Sequence, residues 1–229
     1  MSAQARSSDT APGRRESGDQ PGAGRLLALS DGVVAIALTL LVLQLKVPGL
    51  GRMANPDSAA ELAGQLGADF SQMVSYLIAY YVIAHFWLVH FRVFRRVYGH
   101  RESLAWWNFA FLFTITLMPF TSSLMGSFSN NPLAVDIFAV NLLLASLATQ
   151  AADLFGRRGG ALGPEPDPRL ARAARARAIA VVIVVGLSIS VAWLNTDAAK
   201  YCWALLPLAQ WGINRAMPPD QRTFRPTPQ

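Results

Sequence analysis

The chain has 229 residues, of which 52% are hydrophobic and only 15% charged. Ordinary soluble domains carry roughly a quarter charged residues, so this balance points to one compact membrane domain. The net charge of +6 comes from 18 Arg and 2 Lys set between apolar runs rather than along one face, which argues against a nucleic-acid partner, and the lone Cys202 excludes an intrachain disulfide and a cysteine-cluster metal site.

Residues 1–24 are rich in Ser, Gly, Pro, Ala and charge, too polar to bury a core, and read as a disordered N-terminal tail. The first apolar run, placed at about 26–47, is long and has no small-residue cleavage pattern after it. It reads as a retained helix, not a signal peptide. Its core, Leu26 to Leu45, supplies about 30 Å of helix, enough to cross a bilayer. Pro48, Gly49, Gly51, Asn55 and Pro56 break the pattern, and Ser58 to Leu66 suits a short interfacial helix. Further runs at about 70–91, 104–126 (with Pro119 predicting a kink or the last turns), 133–155, 171–195 and 198–214 complete an all-α membrane domain of six transmembrane helices over 25–216. A loose tail, 217–229, follows.

The basic residues check this count. Arg6, Arg14, Arg15 and Arg25, then Arg92, Arg95, Arg96 and Arg101, then Arg157, Arg158, Arg169, Arg172, Arg175 and Arg177, and finally Arg215, Arg222 and Arg225 all fall on one side of a six-span layout. Lys46, Arg52 and Lys200 fall on the other. The positive-inside rule then puts both termini in the cytoplasm, and the even helix number agrees. The basic stretch Arg92 to Arg101 is expected against anionic headgroups, and most of the six tryptophans against the membrane interface.

Within the first span, Ser30, Asp31 and Thr39 are polar, and Asp31 is the only charge between Leu26 and Leu45. A carboxylate at that depth requires protein or water around it. Asp31 reads as a pore-mouth carboxylate, a proton carrier or a structural anchor, with His85, Trp87, His90 and Asn108 as candidate hydrogen-bond donors. Helical spacing sets Ile36, Thr39, Leu40 and Leu43 along one stripe. Several copies around an axis would stack a hydroxyl ring among aliphatic rings, a pattern that suits a narrow gated ion path. For each aliphatic residue alone, packing is the simpler reading, and Thr39 can bond its own backbone. His85 and His90 are five residues apart and project from different sides of a helix, poor geometry for a metal. No phosphate loop, nucleophile elbow, HExxH or TVGYG filter occurs, so no enzyme activity, metal or cofactor is expected.

The stretch Arg25-x-x-x-Leu29-Ser30-Asp31-Gly32-Val33-Val34-Ala35-Ile36-Ala37-Leu38-Thr39-Leu40-Leu41-Val42-Leu43 resembles the RxxxFSDGVFAIAITLLVL signature of the transmembrane protein 175 family, potassium channels of endolysosomes and of many prokaryotes. Phe86-Trp87-Leu88-Val89-His90-Phe91-Arg92 is similar to its FWxxHHR pattern, as are Asn108 with Pro119-Phe120 and Asn141-Leu142-Leu143 to later motifs. Leu29 and Val34 replace phenylalanines of the pattern, Gln44 a glutamate, and Val89 the first histidine. The resemblance implies a homotetramer of six-helix subunits in the plasma membrane of a prokaryote, with the first helix lining a central pore. It further implies Ile36 as constriction, with Leu40 and Leu43 extending the apolar section, and Thr39 as a contributor to cation selectivity. Arg25, Ser30, Asp31, His85, Trp87, His90 and Asn108 then belong to a structural polar network. The partners are further copies of the chain, permeant potassium and membrane lipids. A proton-coupled secondary transporter and a non-transporting assembly protein are the other classes considered.

Overall fold

The computed structural model describes residues 21–47, 55, 57–97, 102–163 and 168–216. They form seven helices: α1 (Pro21–Val42), α2 (Ala59–Ala68), α3 (Phe70–Phe94), α4 (Glu102–Ser127), α5 (Pro132–Arg158), α6 (Pro168–Ala192) and α7 (Thr196–Ala216). The only β pairing among the described residues is an isolated antiparallel bridge between Val97 and Leu162. The all-helical class expected from the apolar periodicity is what the chain adopts. The tails at 1–20 and 217–229, the whole 48–54 turn with Pro56, residues 98–101 of the basic stretch and residues 164–167 of the 4–5 linker lie outside the described residues.

Five helices, α1, α3, α4, α5 and α6, are long and apolar enough to cross a membrane. α7 has 21 residues, a sufficient length, but Asp197, Lys200, Gln210 and Arg215 dilute its apolar content. The first helix starts at Pro21, earlier than its hydropathy suggests, because proline at the first helical position has a preset φ and loses no hydrogen bond. It also stops at Val42 rather than 47. Gln44 N bonds Leu41 O at 3.1 Å and Leu45 N bonds Val42 O at 3.1 Å, so the chain unwinds through tight turns.

α2 is the short helix anticipated after Ser58, whose hydroxyl caps it by accepting from Glu61 N at 3.4 Å. α5 has Asn131 as N-cap and Pro132 at its first position, the asparagine accepting from Leu133 N at 3.0 Å. Pro119 lies inside α4, which continues to Ser127.

The core is built on α4. Phe111, Ile115 and Met118 are buried against Val34, Ala37 and Leu41 of α1, Val82, Ile83 and Phe86 of α3, and Val135, Phe138 and Leu142 of α5. α1 packs on α3 and α4, α6 packs on α5 and α7, and α5 joins the two groups. Trp203 of α7 is buried, stacks obliquely on Phe138 at 5.0 Å and donates to Ser188 Oγ at 3.0 Å. It is a core residue, unlike the exposed Trp106 and Trp193, because α7 folds back onto α6 and carries it inward.

The end of α5 is clamped to the end of α3. Gly156 O accepts from Ala161 N and Leu162 N, Gly160 takes φ +68° to reverse the chain, and Gly163 N reaches Arg96 O at 2.9 Å. Asp153 pairs with Arg96 and, at 2.8 Å, with Arg157. Leu162 lies directly on Gly156, where an added Cβ would stand 2.5 Å from Leu162 Cδ1. Gly156→Ala is therefore expected to cost about 1–3 kcal/mol, visible as earlier thermal loss of the monodisperse peak in detergent, while Gly64→Ala, with open space around it, leaves that midpoint in place.

Candidate functional site

One stripe of α1 is buried and the opposite one is bare. Ser30, Val34, Ala37 and Leu41, at spacings of four, three and four, face α3 and α4 and are each at most 3% exposed. On the other side Ile36 is 60% exposed, Leu40 42% and Leu43 74%, with Thr39 exposed beside them. Leu43 stands just past the helix, in the turn that follows Val42. Thr39 Oγ1 donates to Ile36 O at 2.8 Å, so its hydroxyl proton is turned back onto the helix and its lone pairs point away from it. Such an oxygen can accept from water or coordinate a cation.

Behind this face, the expected polar network separates into parts. Ser30 is fully buried, with Oγ 2.9 Å from Leu26 O and 3.1 Å from Asn108 Oδ1. His90 Nε2 lies 2.6 Å from the same Asn108 oxygen. A carbonyl oxygen only accepts, so His90 carries its proton on Nε2 in this arrangement. The ring is held flat between Phe94 and Phe111, at centroid distances of 4.1 and 4.7 Å. Ser30, Asn108 and His90 thus tie α1, α4 and α3 together.

Nearer the surface, Trp87 Nε1 donates to Asp31 Oδ1 at 2.8 Å, a second tie between α1 and α3. Of the four donors considered for Asp31, the tryptophan is the one that meets it. His85 lies elsewhere, stacked with Tyr81 and tilted against Phe86. Arg25 is exposed at the start of the bare stripe and makes no ion pair among the described residues. The two histidines, as their spacing suggests, serve different surroundings.

Two buried polar contacts were not singled out as a pair by sequence reasoning. Asn141 Nδ2 donates to Thr114 O at 3.1 Å across α4 and α5, and Ser122 Oγ donates to Ser75 O at 3.0 Å across α3 and α4. Both follow from the scarcity of water in a bilayer, where polar side chains on helix faces find partners on neighbouring helices.

Residues 25–119 match the family model described as endosomal/lysosomal potassium channel TMEM175. Over that segment the chain is similar to this family. The TMEM175 match spans α1, the bare stripe, the Ser30–Asn108–His90 tie and α4 as far as Pro119. Among relatives, a potassium channel of Streptomyces collinus is 28% identical over 209 residues, covering 89% of this chain and 98% of its own length. A potassium channel of a Chryseobacterium species is 31% identical over 127 residues, covering 55% of this chain; the chain spans 60% of that relative. The fold is similar to the crystal structure of a lysosomal potassium-selective channel TMEM175 homolog from Chamaesiphon minutus, with TM-score 0.68 and 24% identity over 85% of this chain and 100% of that one.

Proposed function

We propose that this chain is the subunit of a potassium-permeable leak channel, in which four copies stand around a common axis with α1 innermost. The observation that carries the proposal is the bare stripe of α1. A helix that matches the TMEM175 family leaves Ile36, Thr39, Leu40 and Leu43 uncovered while its other side is locked into the subunit by Ser30 and Asp31. Three of those four residues would suit lipid. Arg25, exposed at the start of the same stripe, would not, and a water-filled axis accommodates it.

In this assembly Ile36 forms the narrowest ring, and Leu40 and Leu43 extend the dry section. Conduction is then controlled by whether that section wets. The Thr39 oxygens, their protons engaged by Ile36 O, replace part of the ion's hydration shell next to the constriction. The role is conduction rather than catalysis. α7 is read as the sixth span of a channel domain over 25–216, which puts both termini and the arginine-rich end in the cytoplasm of a prokaryote and the channel in its plasma membrane.

Purified protein in liposomes under a potassium gradient tests this directly. Uncoupled, non-saturating potassium flux is expected. Saturable flux driven by a pH gradient would point to a proton-coupled transporter, and ion-tight vesicles to an assembly protein. Thr39→Ala is expected to lower the potassium-to-sodium permeability ratio by roughly threefold, about 0.65 kcal/mol, read from reversal potentials in mixed-cation solutions. An unchanged ratio would remove Thr39 from the selectivity mechanism.

A further inference from the structure

The free sides of α3 and α4 carry hydroxyls at the depth where lipid offers them nothing. On α3, Phe70, Met73, Leu77 and Tyr80 recur at spacings of three, four and three, each at least 44% exposed, and Leu88 continues the line two turns on. On α4, Trp106, Phe109, Phe113, Thr116 and Phe120 recur in the same way and are all exposed. Tyr80 stands near the middle of α3, its ring beside that of Tyr76, and its hydroxyl has no hydrogen-bond partner among the described residues. Thr116, near the middle of α4, donates to Phe113 O at 2.8 Å, which leaves its oxygen able to accept. An unpartnered phenolic donor is costly in hydrocarbon. The bare stripe of α5 offers the contrast. Its side chains at the level of Thr114, Val140 and Leu144, carry no polar atom and suit lipid as they stand.

The two stripes face opposite ways. Within the bundle α3 packs on α1, α4 and α5, and α4 packs on α1, α3 and α5, so each turns its bare side away from the other. α1 packs on both, and with α1 at the axis of the proposed ring they stand behind it, one to either side. A ring of four closes through unlike faces, one side of each subunit meeting the other side of the next. Rotation about an axis along the membrane normal also preserves depth, so groups that pair across the ring must stand at one level. α3 and α4 run antiparallel, with His90 level with Asn108 and Ser75 with Ser122. Interpolation between those rungs puts Tyr80 within two residues of the height of Thr116, or about 3 Å. A tyrosine side chain spans that offset.

We propose that the α3 stripe of one subunit docks on the α4 stripe of the next, with the Tyr80 hydroxyl donating to Thr116 Oγ1. The occupant of each face is a second copy of this chain, and the contact rests on the fourfold reading above. The aromatic side chains supply the packing area, as at the core of protein interfaces, and the hydroxyl pair fixes the register of the ring.

Photocrosslinking in membranes tests it, with p-benzoylphenylalanine in place of Tyr80 and, as a lipid-facing control, in place of Leu144. Position 80 is expected to yield a ladder from dimer to tetramer, with adducts that map to residues 106–120 of a second chain, while position 144 stays monomeric. Adducts to lipid alone at position 80, adducts within one chain, or adducts that join α3 to α3 would each overturn the proposal. Should the probe at position 80 prevent folding, the same probe in place of Leu77, on the same stripe, carries the comparison. The hydroxyl pair is read by native mass spectrometry of the detergent-solubilised assembly. Tyr80→Phe and Thr116→Val are each expected to weaken association about threefold per interface, and the double variant no more than either alone, because the same bond is lost. Undiminished assembly in Tyr80→Phe, or losses that add, would overturn the pairing. Neither readout needs an ion current. Four copies without the ladder would defeat this interface and leave the channel reading standing, whereas a ladder from ion-tight vesicles would defeat the channel reading and leave the interface in place.

Discussion

Ile36→Asn is expected to raise potassium flux through reconstituted channels at least about tenfold, equivalent to lowering the barrier at the constriction by about 1.4 kcal/mol. The reason is wetting. In the proposed tetramer four isoleucine side chains would face one another and offer water no hydrogen bonds, and a narrow apolar ring excludes it. An asparagine amide of similar length offers two donors and an acceptor from each subunit, which hold water in place through the closed state. Because Ile36 is 60% exposed within the subunit and its packing partners on α1 are elsewhere, the change leaves the fold intact. Single-channel recording separates open probability from conductance, and the increase is expected in open probability. Flux equal to that of the parent in well-folded protein would show that ions travel along another surface.

Asn108→Leu is expected to act on the fold itself. The side chain is fully buried and its Oδ1 is the shared acceptor for Ser30 and His90. Leucine has the same branched outline, though it is larger, and faces the protonated Nε2 of His90 with a methyl group. Stranding that donor costs about 1–3 kcal/mol, and no bulk water is available inside the bilayer to take its place. The hydrogen bonds that Asn108 provides to α1 and α3 disappear together, leaving the Ser122–Ser75 bond as a remaining link between α4 and α3. The expected result is a fall of several degrees in the thermal midpoint of the detergent-solubilised protein, together with reduced yield of assembled channel. Ser30→Ala is expected to do less, since Asn108 keeps His90 and Ser30 already shares its proton with Leu26 O. Equal midpoints for Asn108→Leu and the parent would mean that the three-helix tie is not a source of stability.

Much of this architecture was legible in the order of residues. Long apolar runs separated by proline, glycine and arginine mark the helices, because a bilayer leaves a spanning backbone little choice but helix. The stripe of Ile36, Thr39, Leu40 and Leu43 could be drawn from spacing alone, and the structure leaves it uncovered. What the pattern did not reveal was pairing. His85, Trp87 and His90 lie within two turns, and only packing decides that the tryptophan meets Asp31, His90 turns to Asn108 and His85 stacks with Tyr81. Trp203 is not distinguished in sequence from the tryptophans expected at the interface, because position near a helix end does not tell which side of that helix is inward. The end of α1 at Val42 was missed for a similar reason: hydropathy continues through Leu45, while the hydrogen bonds do not.

The way the helices lean on one another also limits how stress can travel. Tension borne by α6 and α7, the pair on the flank of the subunit, has α5 as its principal route inward, and from there must pass through α4 or α3 before it can move α1. In the proposed assembly, where α1 is innermost, that helix would be mechanically insulated from the α6–α7 pair. A stretch of the surrounding lipid that strains the flank would then be absorbed across two further layers of packing before it altered the width at the proposed Ile36 ring.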